Sequence, residues 1–99
     1  MQKPEPGFYY HFKHNPEDLF DHAYEVVGVG RDTESEGLVV LYRPLYKLEF
    51  LENADVCVRP LPMFTDIVER DGKSQPRFEK ITDPEIIKKL EQKRDEMYP

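Results

Sequence analysis

The run Leu38-Val39-Val40-Leu41-Tyr42 is apolar at five successive positions. Its β-branched and aromatic content favours a strand. A strand that is apolar on both faces has to lie inside a sheet, with protein above and below it. Pro44 limits free ladder pairing just beyond it. Downstream comes a second short run, Val56-Cys57-Val58, and then Arg59-Pro60-Leu61-Pro62-Met63-Phe64. Those last residues turn the chain sharply, and Pro60 to Phe64 reads as a single 3₁₀ turn.

The neighbours of this central strand follow from the same patterns. Phe8 to Lys13 alternates as a strand, with Phe8, Tyr10 and Phe12 on one face and Tyr9, His11 and Lys13 on the other. His14 to His22 reads as a loop containing a short helix around Leu19 and Phe20. Ala23 to Gly30 is a second strand, and Gly28 inside it signals a bulge. Arg31 to Gly37 is a polar hairpin loop in which Gly37 supplies the turn conformation. Leu45 to Leu51 continues as an extension or lid, Glu52 to Asp55 as a turn, and Ala54 to Arg59 as a fourth strand. Thr65 to Arg70 is a strand followed by the turn signal Asp71-Gly72. Gln75 to Glu79 is a last short strand, held to an edge by Pro76.

The tail is a helix. Thr82 or Asp83 caps it, Pro84 suits its first turn, and Ile86, Ile87, Leu90 and Met97 share an apolar stripe. Five to six short antiparallel strands joined by tight turns predict a mainly β fold, a small SH3-like barrel with a C-terminal α-helix. The expected organisation is a flexible lead-in over 1–6, the barrel over 7–81, and a helix over 82–99 packed on or extending from it.

Composition narrows the function classes. With 99 residues the chain makes one domain with a modest core. Twenty acidic and 14 basic residues give a net charge of −6, and no basic run stands clear of equal acid content. Nucleic acid is therefore an unexpected partner, because phosphate neutralisation dominates such binding. An anionic membrane surface is unexpected for the same reason. The single cysteine excludes an internal disulfide and suits a reducing compartment. With no apolar leader segment and no apolar run of about 20 residues, the expectation is a soluble cytoplasmic protein.

Taken in order, Gly7, Tyr9, His11-Phe12-Lys13, Tyr24-Glu25-Val26-Val27-Gly28-Val29, Thr33-Glu34, Val39, Tyr42 and Leu45-Tyr46 resemble a known family. The pattern continues through Arg59-Pro60-Leu61, Met63-Phe64, Asp71-Gly72 and Pro76-Arg77-Phe78. The family is the group of small bacterial proteins called domain of unknown function 1653 (DUF1653). The resemblance implies an SH3-type barrel and no assigned activity. Cys57 stands where the family tends to have tryptophan, and Asp32 where it often has histidine. The segment His14 to His22 is longer than the family's turn, and the helix after Thr82 lies outside the matched region.

No phosphate loop, nucleophile elbow or framed carboxylate pair is present. His11-x-x-His14 and the Asp21-His22 pair give no complete metal-ligand pattern, so neither a metal nor another cofactor is expected. Cys57 lies in an apolar context that suits an inert, packed thiol. Arg59 next to a fixed proline is able to present a planar fork to a carboxylate or phosphate. Its structural role would instead be to clamp turn carbonyls or pair with Glu25 or Glu34. The reading is a non-catalytic binding module that takes a peptide, protein or small-molecule ligand through Tyr9, His11, Tyr42, Tyr46 and Arg59. The alternative is a small enzyme or ligand sensor with Arg59 as anion binder and His11 as acid/base. A second alternative is a structural subunit that docks through its C-terminal helix.

Overall fold

The computed structural model describes residues 3–46 and 56–99. In chain order the elements are β1 (Gly7–His11), β2 (Ala23–Arg31), β3 (Leu38–Pro44), β4 (Cys57–Pro60), α1 (Leu61–Phe64), β5 (Ile67–Arg70), β6 (Lys73–Pro76), β7 (Phe78–Lys80) and α2 (Pro84–Met97). Five strands form one antiparallel sheet in the order β4-β3-β2-β1-β7, and β5 and β6 form a hairpin of their own. The larger sheet is open, with β4 and β7 at its edges. The apolar run 38–42 lies in β3, flanked by β2 and β4.

The described residues form seven strands where five to six were expected. Arg77 causes the difference. Its N–H donates to the Asp66 carbonyl at 2.9 Å, and its carbonyl accepts from Phe12 N–H at 2.9 Å. The backbone thus changes partner at one residue: Pro76 is paired with Ile67, and Phe78 with His11. What reads as one edge strand is two, serving different sheets.

The bulge expected at Gly28 is present. Val26 opposes Tyr42 and Gly28 opposes Leu41, which leaves Val27 unpaired and exposed. Three local expectations are corrected. His14 to His22 forms turns and no helix, because its polar side chains cap the local backbone: Asn15 Oδ1 accepts from Glu17 N–H and Asp18 Oδ1 from Phe20 N–H. The 31–37 loop places Glu36, not Gly37, in the left-handed region at φ 63°. The turn after Pro60 is α-helical, since Thr65 N–H reaches back four residues to Leu61 O. The segment Lys47 to Leu51 and the expected turn at Glu52 to Asp55 lie outside the described residues.

Strand alternation sends side chains to two separate cores. Tyr9, Tyr24, Val26, Val40, Tyr42 and Phe78 meet Leu61 and Phe64 of α1 on one face. Phe8, Ala23, Leu45 and Ile81 meet Leu90 of α2 on the other, with Tyr10, Phe20, Ile86 and Ile87 around them. Asp83 caps α2, its side chain accepting from Glu85 N–H at 3.0 Å. At the other end of the helix Arg94 reaches Glu25 at 2.8 Å, and the Tyr98 hydroxyl donates to Pro44 O at 2.8 Å. Since α2 covers the Phe8–Tyr10 face, Tyr9 and His11 belong to the face that remains.

Ahead of β1, Glu5 is tied to the sheet. The Tyr9 hydroxyl donates to Glu5 O, and Lys80 pairs with the Glu5 carboxylate at 2.7 Å. No helix among the described residues is long and apolar enough to cross a membrane.

Candidate functional site

The sheet register sets the geometry of the face opposite α2. His11 lies directly opposite Phe78 on β1 and β7, Arg59 opposite Val40 on β4 and β3, and Tyr42 opposite Cys57. Directly paired residues point to the same face. Arg59, Tyr42, Tyr24, Phe78 and His11 therefore converge, although up to 67 positions separate them in the chain (78 − 11).

The contacts close into a ring. The Arg59 guanidinium sits 5.2 Å from the centre of the Phe78 ring and 6.0 Å from that of Tyr42. Tyr42 meets Tyr24 edge-on at 5.4 Å, and Tyr24 meets Tyr46 edge-on at 5.6 Å. Tyr46 lies 5.7 Å from His22, His22 stacks on His11 at 5.4 Å, and His11 returns to Phe78 edge-on at 5.1 Å. The hydroxyls of Tyr24 and Tyr46 hydrogen-bond to each other. Tyr24 and Tyr42 are buried and form the floor. His11, His22, Tyr46 and Arg59 are half-buried and form the rim.

Burial holds both phenols of the Tyr24–Tyr46 pair above the ordinary tyrosine range. His11 is pushed down to about 4, first by burial and then by the positive charges of His22, Arg59, Arg77 and Lys13. At neutral pH its ring is uncharged. The Lys13 backbone N–H donates to Nδ1 at 3.2 Å, which leaves the ring proton on Nε2.

Arg59 differs from Arg43 and Arg77. The Nε atoms of Arg43, Arg59 and Arg77 are all buried without a hydrogen-bond partner. Arg43 nevertheless approaches Glu25 at 4.0 Å, and Arg77 pairs with Asp66 at 3.3 Å. Among the described residues Arg59 has no carboxylate within ion-pair distance. Glu25, its expected structural partner, is held instead by Arg94 and Arg43.

Of the five residues singled out from sequence, the structure brings His11, Tyr42, Tyr46 and Arg59 together. Tyr9 stands apart: it is 6% exposed, meets Phe64 edge-on at 5.5 Å and commits its hydroxyl to Glu5. It lies at the base of a different cleft of about 460 Å³, between Glu5, Phe64 and Lys80. His22, Tyr24 and Phe78 were not among those five. His22 carries no periodic signal, because it sits in a turn at φ 49° just before β2. Tyr24 and Phe78 look like core residues in sequence, and they are that as well. Among the described residues no three histidine, cysteine, aspartate or glutamate side chains group as a metal site would require.

The fold defines a small, mainly β domain whose α1-side sheet face carries an aromatic and cationic cluster. The family model for proteins of unknown function DUF1653 matches residues 7–80, and the chain belongs to that family. A crystal structure of a DUF1653 protein from Bordetella bronchiseptica is similar to it, with a TM-score of 0.63 and 27% identity over 81% of this chain and 92% of that one. No curated protein matches the chain. Both ends of the Arg59 cluster, His11 and Phe78, fall inside the family match, whereas α2 falls outside it.

Proposed function

We propose that this protein is a non-catalytic binding module, an SH3-like domain that takes a small ligand or peptide segment on the face formed by Arg59, His11, Tyr42 and Tyr46. The observation that carries this is the state of Arg59. It is a half-buried guanidinium laid over Phe78 and Tyr42, its Nε lacks a partner, and no described carboxylate is at hand. A buried, unpartnered Nε is shared with Arg43 and Arg77 and is closed to a ligand, so a ligand acceptor would meet the terminal N–H groups of the Arg59 fork. The SH3-like description rests on strand number, size and the helical turn ahead of β5. The hydrogen-bonded sheet itself is open.

The properties of His11 support binding over proton transfer. An acid/base group works best with a pKa near the working pH, and this imidazole is held at about 4. Docking of a partner through α2 is less favoured, because Leu90 is fully buried against the chain's own sheet.

The test is a thermal-shift and titration screen of small ligands and short peptides against wild type and Tyr46→Ala. A ligand that protects the wild type and loses at least about tenfold in affinity on the variant is the expected result. Ligands whose affinity ignores Tyr46→Ala would place binding elsewhere on the molecule.

A further inference from the structure

We propose that the group this face recognises is a single-charged carboxylate on a small, partly aromatic molecule, seated between the Arg59 guanidinium, the Tyr24–Tyr46 hydroxyl pair and His11. This rests on the binding-module reading above and names the chemistry of its ligand.

The donors and acceptors left over at the cluster point one way. Arg59 offers N–H groups only. Tyr24 and Tyr46 are both protonated at neutral pH and share one hydrogen bond, so one phenolic proton of the two is left to donate. His11 accepts from Lys13 at Nδ1, so its Nε2–H is left as a donor. Of the described carboxylates, Asp21 holds His22 and the Asn15 N–H, and Asp66 holds Arg77 and the Ile67 N–H. A cationic ligand would find donors and no free carboxylate among the described residues, whereas an oxyanion would find matching partners.

Charge selects among oxyanions. Arg59 is the one guanidinium of the cluster without a carboxylate among the described residues. A single positive charge with no carboxylate among the described residues matches a monoanion better than a phosphate dianion. The chain's net charge of −6 also repels a multiply charged anion more than a monoanion at long range. The rings of Phe78, Tyr42 and Tyr46 supply apolar walls for the body of the molecule.

The full chain is titrated with benzoate, its neutral counterpart benzamide, and inorganic phosphate at constant ionic strength. Nuclear magnetic resonance follows the Arg59 side-chain N–H and the His11 ring. Benzoate is expected to give saturable shifts at both. Arg59→Gln should weaken it at least about tenfold and Tyr46→Phe several-fold. A carboxylate facing His11 together with His22, Arg59, Arg77 and Lys13 offsets their repulsion, so saturating benzoate should move the His11 titration up from about 4. Should Arg59→Gln fail to fold, Arg59→Lys keeps the charge and loses the fork, and it should still weaken benzoate several-fold.

Benzamide binding as tightly as benzoate would overturn the carboxylate while leaving a binding module, provided that Tyr46→Phe weakens it. Phosphate binding about tenfold tighter than benzoate would overturn the charge match. No saturable shift at Arg59 or His11 with any of the three would overturn the anion site itself. A module that binds elsewhere would still answer the screen of ligands and peptides described above.

Discussion

At the scale of single residues, the arginines separate into two kinds. Glu25 has a side chain only 15% exposed and lies beside Arg94 at 2.8 Å and Arg43 at 4.0 Å. Arg94→Ala leaves that carboxylate half-compensated, and removing one partner of a buried pair is costly. We expect a loss of about 2 kcal/mol, moderated because Arg94 itself is part-exposed. Arg59→Ala strands no described carboxylate. It removes a cation–π contact and some stem packing, for a loss of about 1 kcal/mol. Urea denaturation of the two variants checks the order, and an Arg59→Ala loss exceeding that of Arg94→Ala would mean that Arg59 is a fold anchor. His11 adds a pH dependence. Its imidazole titrates near 6.5 when free and at about 4 here, so the unfolded chain takes up the proton first. The stability it contributes is complete above pH 6.5 and is lost as pH falls through 4. The lowered carboxylates Glu5, Asp21 and Asp32 begin from 4.5 or 3.8 and lose theirs at more acid pH. Denaturant midpoints at pH 7 and pH 5 should therefore differ more for wild type than for His11→Gln.

At the scale of elements, the helix and the β5–β6 hairpin were readable because their signals are local. Pro84 after Asp83 marks a helix start wherever it lies, and the cap bond to Glu85 N–H is made within two residues. Asp83→Ala should cost about 1 kcal/mol, seen as a lower melting temperature with the fold retained. Asp71 and Gly72 both adopt positive φ, at 54° and 76°, as a two-residue hairpin turn demands. A Cβ on Gly72 would meet no atom within 4 Å, so Gly72→Ala isolates the backbone penalty, about 1 kcal/mol. The segment His14 to His22 was misread for the converse reason. Its Leu19-Phe20 pair suggested a helical turn, but Asn15, Asp18 and Asp21 bind nearby backbone groups and hold it in turns. The strand over 75–79 was read as one piece because nothing in Pro76-Arg77-Phe78 tells that Arg77 bonds to two different elements.

At the scale of the whole molecule, two cores share one sheet, and only one of them depends on α2. Cutting the chain after Ile81 would expose Phe8, Ala23 and Leu45 and remove the fully buried Leu90. Burying a side chain the size of Leu is worth about 1.5–3 kcal/mol, a large share of the 5–15 kcal/mol that holds a small domain. The truncated chain should lose its cooperative melt, and near-ultraviolet circular dichroism would register the loss of aromatic packing. A truncated chain that melts as the full one does would show that the α1-side core alone supports the sheet.

The sequence by itself determined that this chain is mainly β with a terminal helix, that the run 38–42 lies inside the sheet and not at its edge, where Gly28 breaks the ladder, and where the last hairpin turns. Each of these is decided by steric and hydrogen-bonding preferences acting within a few residues. Only the tertiary structure decided that His11, His22, Tyr24, Tyr42, Tyr46, Arg59 and Phe78 form one cluster, that Tyr9, on the same face, stands outside it, and that Glu25 answers to α2. Those outcomes rest on the register of strands far apart in the chain and on a bulge that resets which side chains face which core. A one-residue change in either would send them to opposite faces of the sheet.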